Sequence, residues 1–357
     1  MDKTALKLLQ DLVATPTPSG SEADGMHLLA RYVKPYANDI SIDLHGNLRV
    51  VLNPKASVRV MIDGHCDEIG FLVQHIDDKG FIYVSPVGGV TTPQLAGERI
   101  IIQGRKGPVN GVFGITPIHL LKGEDIKKVA PQDIVDAYVD IGASSRAEAE
   151  KLIDVGNAAV IDAGWRPLAN DRIACRGFDD RVGAFIVMEA VRRLKGRPLK
   201  VALHAVASVQ EELGLVGATT AAYDIQPHAG IAVDVGFSSD CPKHEKKMLG
   251  DVSLGKGPIV VCGPTYHPTM QSLIFDTAKA KKIPVQRQVR VRGNGTNAWP
   301  MRMSRSGAAV GLLSIPLRYM HSPVEVLSLH DVEQTIELLV STLLAIPANA
   351  TFTRPQP

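Results

Sequence analysis

Cysteine is scarce and scattered in this 357-residue chain: Cys66, Cys175, Cys241 and Cys262 form no Cys-x-x-Cys pair. Their spacing argues against a thiolate zinc site, and isolated thiols fit a reducing compartment, so a cytoplasmic location is expected. An excess of charge is missing too, since 39 basic residues face 37 acidic ones. Without a basic bias, nothing points to nucleic acid or an anionic membrane as an obligatory partner. No apolar run approaches membrane-spanning length, and Met1-Asp2-Lys3-Thr4 lacks the basic-then-apolar start of an export signal. There is no internal repeat or low-complexity segment, and only Arg354 to Pro357 reads as a frayed tail. What is present is 45% hydrophobic and 21% charged residues, the balance of a folded globular protein. The length makes two domains the first expectation.

Apolar spacing predicts a helix over residues 4–13, stopped by Pro16 and Pro18, and a second from Ser19-Gly20-Ser21-Glu22 toward Tyr36. Ile40–Leu44 and Leu48–Leu52 flank Gly46-Asn47 as a strand-turn-strand, and Val58–Ile62 is a buried strand. From Ile69 to about Ala163 the texture changes to short β-rich runs with turns, followed by a short helix near Arg146–Ile153. Closely spaced strands of this kind predict a small β-domain inserted at 69–163 between catalytic segments 1–68 and 164–357. After Gly164 a longer rhythm returns: helix 179–195, strand 199–208, helix 217–223, strand 230–235, helix 272–281, strand 285–290 and closing helix 332–345. Alternating strands and helices predict an α/β fold, a mixed and largely parallel sheet flanked by helices.

The strand at 199–208 ends on two adjacent glutamates, Glu211 and Glu212. Neighbouring carboxylates repel, and burying either unpaired is costly, so packing alone does not explain them. A multivalent cation does, with one glutamate binding the metal and the other moving protons beside it. In an open α/β sheet, binding groups gather beyond the carboxyl ends of the strands. His65 follows the strand ending at Ile62, Asp179 precedes a helix, Asp234 ends 230–233, and His321 follows the apolar run 312–317. Each has an ordinary explanation alone: a solvated acidic turn, a core histidine, a helix N-cap, a turn aspartate, a loop histidine. Asp67, two residues after His65, can accept the ring's other N–H and fix its tautomer. Two histidines and four carboxylates without cysteine suit divalent zinc, cobalt or manganese. A carboxylate between two such ions can bridge them.

These segments resemble the dinuclear metallo-aminopeptidases of metallopeptidase family forty-two, the tetrahedral, deblocking and glutamyl aminopeptidases. The resemblance runs over nearly the whole chain. It rests on Gly64-His65-Cys66-Asp67-Glu68-Ile69-Gly70-Phe71, Gln94–Arg99, Gly111–Gly114 with Pro117–Leu120, and Phe178-Asp179-Asp180-Arg181-Val182-Gly183. It continues in Val209-Gln210-Glu211-Glu212-Leu213-Gly214, Leu254–Pro258 and Tyr319-Met320-His321-Ser322-Pro323. The resemblance implies two divalent metal ions per chain, zinc or cobalt with manganese as an alternative. His65 and Asp234 would hold one, Glu212 and His321 the other, and Asp179 would bridge them. Glu211 would be the general base for a water between the ions, and Asp67 would orient His65. The same resemblance implies a cis Asp179-Asp180 peptide and an inserted β-domain, PDZ-like or barrel-like, that joins subunits into dimers and a tetrahedral dodecamer. Substrates would be peptides with a free N-terminus.

Three positions depart from the family pattern: Asn297 in Gly295-Thr296-Asn297-Ala298 stands where aspartate is usual, Val216 where arginine is common, and Cys66 where a larger aliphatic residue is. The pocket for the first side chain is expected near Asn297, Arg292, Ser306 and the turn after Asp234. The basic residues between Lys279 and Arg305 read as a solvated face or subunit contact, or as a preference for acidic groups. Two other readings remain open at this point: a metal-dependent deacylase or amidohydrolase of N-acyl amino acids, and a non-catalytic assembly protein with a relic site. A glycosidase fits worst, because it needs two opposed carboxyl groups and no metal pair.

Overall fold

Strands that are apolar on both sides must be covered on both sides, and this chain does so with an eight-stranded sheet between helical layers. The computed structural model describes residues 1–121, 123, 133–293 and 295–353, so the expected tail at 354–357 lies outside the described residues. From the amino end come α1 (Lys3–Ala14), α2 (Ala23–Val33), β1 (Asp39–Ile42), β2 (Leu48–Leu52) and β3 (Arg59–His65). Then follow β4 (Gly70–Ile76), β5 (Ile82–Val87), β6 (Arg99–Gly104), β7 (Gly107–Phe113), β8 (Tyr138–Asp140), α3 (Arg146–Ala149) and β9 (Ala158–Ile161). Strands β10 (Arg166–Leu168) and β11 (Arg172–Cys175) lead into α4 (Phe178–Leu194). The remainder alternates: β12 (Ala202–Ser208), α5 (Val216–Ile225), β13 (Ala229–Phe237), α6 (Lys246–Leu249), β14 (Ile259–Cys262) and α7 (Pro268–Lys281). It closes with β15 (Gln286–Val289), α8 (Ala298–Met303), β16 (Ala309–Leu317), β17 (Glu325–Ser328) and α9 (Leu329–Ala345).

The large sheet runs β1-β2-β12-β3-β13-β16-β14-β15. Its centre, β12 to β16, is parallel; β2 joins β12 and β14 joins β16 antiparallel. The fold is therefore mixed α/β with a largely parallel sheet. Side chains alternate: Val60, Ile62, Leu203, Ala205, Ile231 and Val233 share one core with α1, α2, α4, α7 and α9. Met61, Val206, Ala232 and Leu312 face α5 and α8. Each fully buried aliphatic side chain in these layers contributes about 1.5–3 kcal/mol. Glycine is required at 64, because a Cβ there would clash with the Gly183 backbone. Strand β3 and helix α4 thus meet backbone to backbone just where His65 and Asp179 diverge.

Strands β4-β5-β8-β7-β6-β9 close into a small antiparallel barrel with its own core of Phe71, Val73, Ile82, Ile100, Ile102, Phe113 and Val139. Closure leaves no free strand edge. Where the barrel leaves β3, Ser19 donates to the Glu68 carbonyl and Glu68 to that of Thr17, tying the junction to the α1–α2 loop.

Several boundaries differ from expectation. Helix α2 starts at Ala23, because the Glu22 carboxylate accepts the Gly20 and Gln210 N–H groups and holds residues 20–22 in a turn. Strand β12 begins at Ala202 because residues 194–199 are spent on the Gly196/Pro198 turn. Strand β13 pairs with β16 as far as Phe237↔Leu317, so Asp234 lies within it and not at its end.

Candidate metal centre

The parallel register brings the expected residues to one end of the sheet. His65 is the last residue of β3 and pairs with Ser208, the last of β12, so the Glu211-Glu212 turn emerges beside the imidazole. Asp179 comes from the non-helical start of α4, and its peptide bond to Asp180 is cis. Asp234 extends from β13, and His321 follows β16. Donor atoms of His65, Asp179 and Asp234 all lie within 4.8 Å of one another, and so do those of Asp179, Glu212 and His321. Asp179 belongs to both trios: Oδ1 is 3.4 Å from His65 Nε2, and Oδ2 is 3.3 Å from His321 Nε2. A Glu212 oxygen is 3.1 Å from the same His321 nitrogen. Glu211 Oε2 stands 3.9 Å from His65 Nε2, and all these groups line one cavity of about 410 Å³.

The electrostatics call for positive charge. Burial, reinforced by Asp234 and Glu212, pushes Glu211 up to about 8. Burial and the Asp179 charge push Asp234 up to about 7. Hydrogen bonds to Asp179 and Glu212 push His321 up to about 11. Burial disfavours charge on His65, yet Glu211 and Asp67 outweigh it and raise its pKa. Burial likewise opposes ionisation of Asp179, and its contacts with His321 and His65 reverse the sign. The imidazoles hold protons where a cation would relieve the same repulsion. A donor set of imidazole nitrogens and carboxylate oxygens fits zinc, cobalt or manganese.

Asp67 is fully buried against His65, whose Nδ1 is 3.1 Å from the Asp67 carbonyl and 3.3 Å from its carboxylate. The same carboxylate accepts the backbone N–H groups of Glu211 at 3.0 Å and Glu212 at 3.1 Å. One side chain therefore fixes the ring and the acid pair together. Gln210, Leu215, Tyr319 and His321 all have positive φ, a backbone conformation that side chains other than glycine seldom adopt and that clusters at functional sites.

Other groups hold the ligands in place. The buried Glu325, on β17, accepts the N–H groups of Asp179 at 3.1 Å and His321 at 3.0 Å. Asp180 accepts the His65 N–H at 3.2 Å, and the Gly89 carbonyl lies 3.2 Å from His321 Nδ1. For Glu325 the sequence offers no more than a carboxylate four residues past His321. Asn297 donates to Asp63 Oδ1 at 2.5 Å and to the Ser208 hydroxyl at 2.9 Å. The carboxyl group absent at 297 is thus present at Asp63, which burial pushes up to about 7, and an aspartate at 297 would face another carboxyl group. Cys66 is buried, and burial pushes its thiol well up, so it packs as a small neutral side chain. Val216 opens α5 and touches nothing in the structure that explains the departure. Phe237, Arg290, Gly295 and Thr296 line the cavity, whereas Ser306 lines a different one with His228, and Arg292 lines neither.

Comparison with known proteins defines the class. The family model described as M42 glutamyl aminopeptidase matches residues 46–338, so the chain belongs to that peptidase family. It is 37% identical over 340 residues to a lysyl aminopeptidase of Pyrococcus furiosus, covering 94% of this chain and 96% of that protein. A TET aminopeptidase structure from a Thaumarchaeota archaeon superposes with a TM-score of 0.90 at 31% identity, covering 97% of this chain and 98% of the other. The Pyrococcus horikoshii TET1 peptidase, which can assemble into a tetrahedron or a large octahedral shell, gives 0.85 at 31% identity, covering 96% and 99%.

Proposed function

We propose that this chain is a metal-dependent aminopeptidase that removes amino-terminal residues from peptides. The observation that carries the reading is the pair of donor trios sharing Asp179, with Glu211 in the same cavity. His65 and Asp234 would hold one divalent ion and Glu212 and His321 the other, with Asp179 between them. When bound, such ions supply Lewis-acid polarisation of the scissile carbonyl and a nucleophilic water at neutral pH. Glu211 takes the proton from the attacking water and passes it to the departing amine, a task for a carboxylate near the ligands and outside their trios. Asp67 and Glu325 keep the participants in register through backbone N–H bonds. The acidic cavity favours the substrate's ammonium group over a blocked amine.

The reading extends to the organisation of the protein. Residues 1–68 and 164–357 form the catalytic part, and 69–163 the inserted part that joins copies into dimers and a tetrahedral dodecamer. The assemblies named for the similar structures and the barrel's separate core support this. Zinc or cobalt is the expected metal, and the cytoplasm the expected location. The test is hydrolysis of aminoacyl-nitroanilides and their N-acetyl forms with defined metals. Cleavage confined to the free amine, lost on chelation and restored by zinc or cobalt, is expected. Equal cleavage of the acetylated forms, or full activity in chelator, would overturn the reading.

A further inference from the structure

Helices α5 and α8 border a second cavity, of about 670 Å³, which is larger than the acidic one and within the size range of small-ligand sites. Leu215, Tyr223, Trp299 and Met303 give it an apolar lining, and Arg305 lies at its wall. Gly214 and Leu215 line both cavities, so the two adjoin along the segment that follows Glu211 and Glu212. Tyr223 and Met303 are each 57% exposed, and the adjacent Leu213 is 52% exposed. Clustered apolar exposure of this kind marks a binding surface more than scattered surface residues do. The Arg305 guanidinium lies 3.4 Å above the Tyr223 ring, and its Nε donates to the Tyr223 carbonyl at 3.2 Å. No carboxylate among the described residues pairs with Arg305. It is an oriented cation with donors to spare.

Read outward from Glu211, the surface presents clustered carboxylates, then an apolar shelf, then a fixed cation. A short peptide presents the complementary series: an ammonium group, side chains, then a carboxylate. We infer that the α5–α8 cavity is the subsite for the leaving part of the substrate. The substrates it selects are short peptides with a large apolar residue after the cleaved bond and a free α-carboxylate. The inference rests on the aminopeptidase reading and names its substrate class. A second copy of this chain is the competing occupant, and the test separates the two.

The test uses X, the amino-terminal residue released fastest from its simple amide X-NH₂, a substrate that stops short of the shelf. Wild-type kcat/KM should be about ten-fold higher for X-Phe-Ala than for X-Gly-Ala, the usual yield of an apolar pocket. It should also be about three-fold higher for the free acid of X-Phe-Ala than for its amide, a modest ratio because the ion pair is exposed. Trp299→Ala should collapse the first ratio toward one, and Arg305→Ala the second, each mainly through KM and each leaving X-NH₂ within about two-fold. Arg305 is exposed, so that variant tests the subsite even if Trp299→Ala folds poorly. Ratios near one in the wild type, ratios unmoved by both variants, or equal losses on X-NH₂ would overturn the inference. Variants that change only the mass of the assembly would assign the shelf to contacts between copies and overturn it as well. If the wild type cleaves neither X-NH₂ nor any peptide, the aminopeptidase reading itself falls.

Discussion

The two donor trios are built differently, although they share Asp179. His65, Asp179 and Asp234 are all buried, and two of them belong to adjacent core strands. Glu212 and His321 are half-buried and sit on loops after their strands, where His321 is held at positive φ by Glu325. The first trio is fixed by the register of the sheet and the second by a few long-range hydrogen bonds. An ion in the second trio should therefore exchange faster, and that side should tolerate more structural change.

Removing the proposed base, Glu211, tests whether the trios act around one carboxylate. Glu211→Gln should keep the metal content while lowering turnover about 1,000-fold, within the usual range for a general base; near-wild-type turnover would break the assignment. The trios themselves separate in the next pair. His321→Ala should lose about one ion per chain by metal analysis with little change in melting temperature. His65→Ala should lose metal and also melt lower by several degrees, since it opens a cavity and strips Asp67 of a partner. Equal behaviour of the two variants would remove the contrast. A smaller effect is expected at Glu325→Gln, which leaves every donor in place but loosens the second trio. Activity and metal affinity should fall about ten-fold, and off-rates in a chelator should rise for one ion only.

The smallest effect compares His65 with another buried histidine. His204, on β12, accepts a hydrogen bond from Arg49 Nε at 3.2 Å; burial, with Arg49 and Arg59 adding to it, pushes its pKa down to about 4 from 6.5. The unfolded chain binds that proton more readily. The stability contributed by His204 is thus complete above about pH 6.5 and is lost as pH falls toward 4. His204→Gln should flatten melting temperature against pH in that window; an unchanged slope would discount the group.

Much of this arrangement was legible from the chain alone. Apolar runs ending in His65, in Glu211-Glu212 and near Asp234 are visible because strand period and ligand chemistry both leave marks in sequence. Of the groups that hold those side chains, Asp67 was legible two residues after His65, whereas Glu325 left no mark and the role of Asp180 could not be read from its motif. Glu325 and Asp180 act on backbone N–H groups 146 and 115 residues away, and a contact over that separation cannot be read in one dimension. Asn297 could be flagged as a departure, yet its meaning needed Asp63, which packs across from another strand. Strand limits failed where pairing overrode local pattern, as in β13, which β16 extends to Phe237.

Asp67 clasps the His65 ring and both amides of the acid pair in one grip. A substitution at Asp67 should therefore disturb the ring and the acid pair together, not one at a time. New preferences for what is cut have room to arise at Phe237, Arg290, Thr296 and Met320 in the cavity lining, and along the α5–α8 shelf, where size or charge can change while the chemistry stays in place.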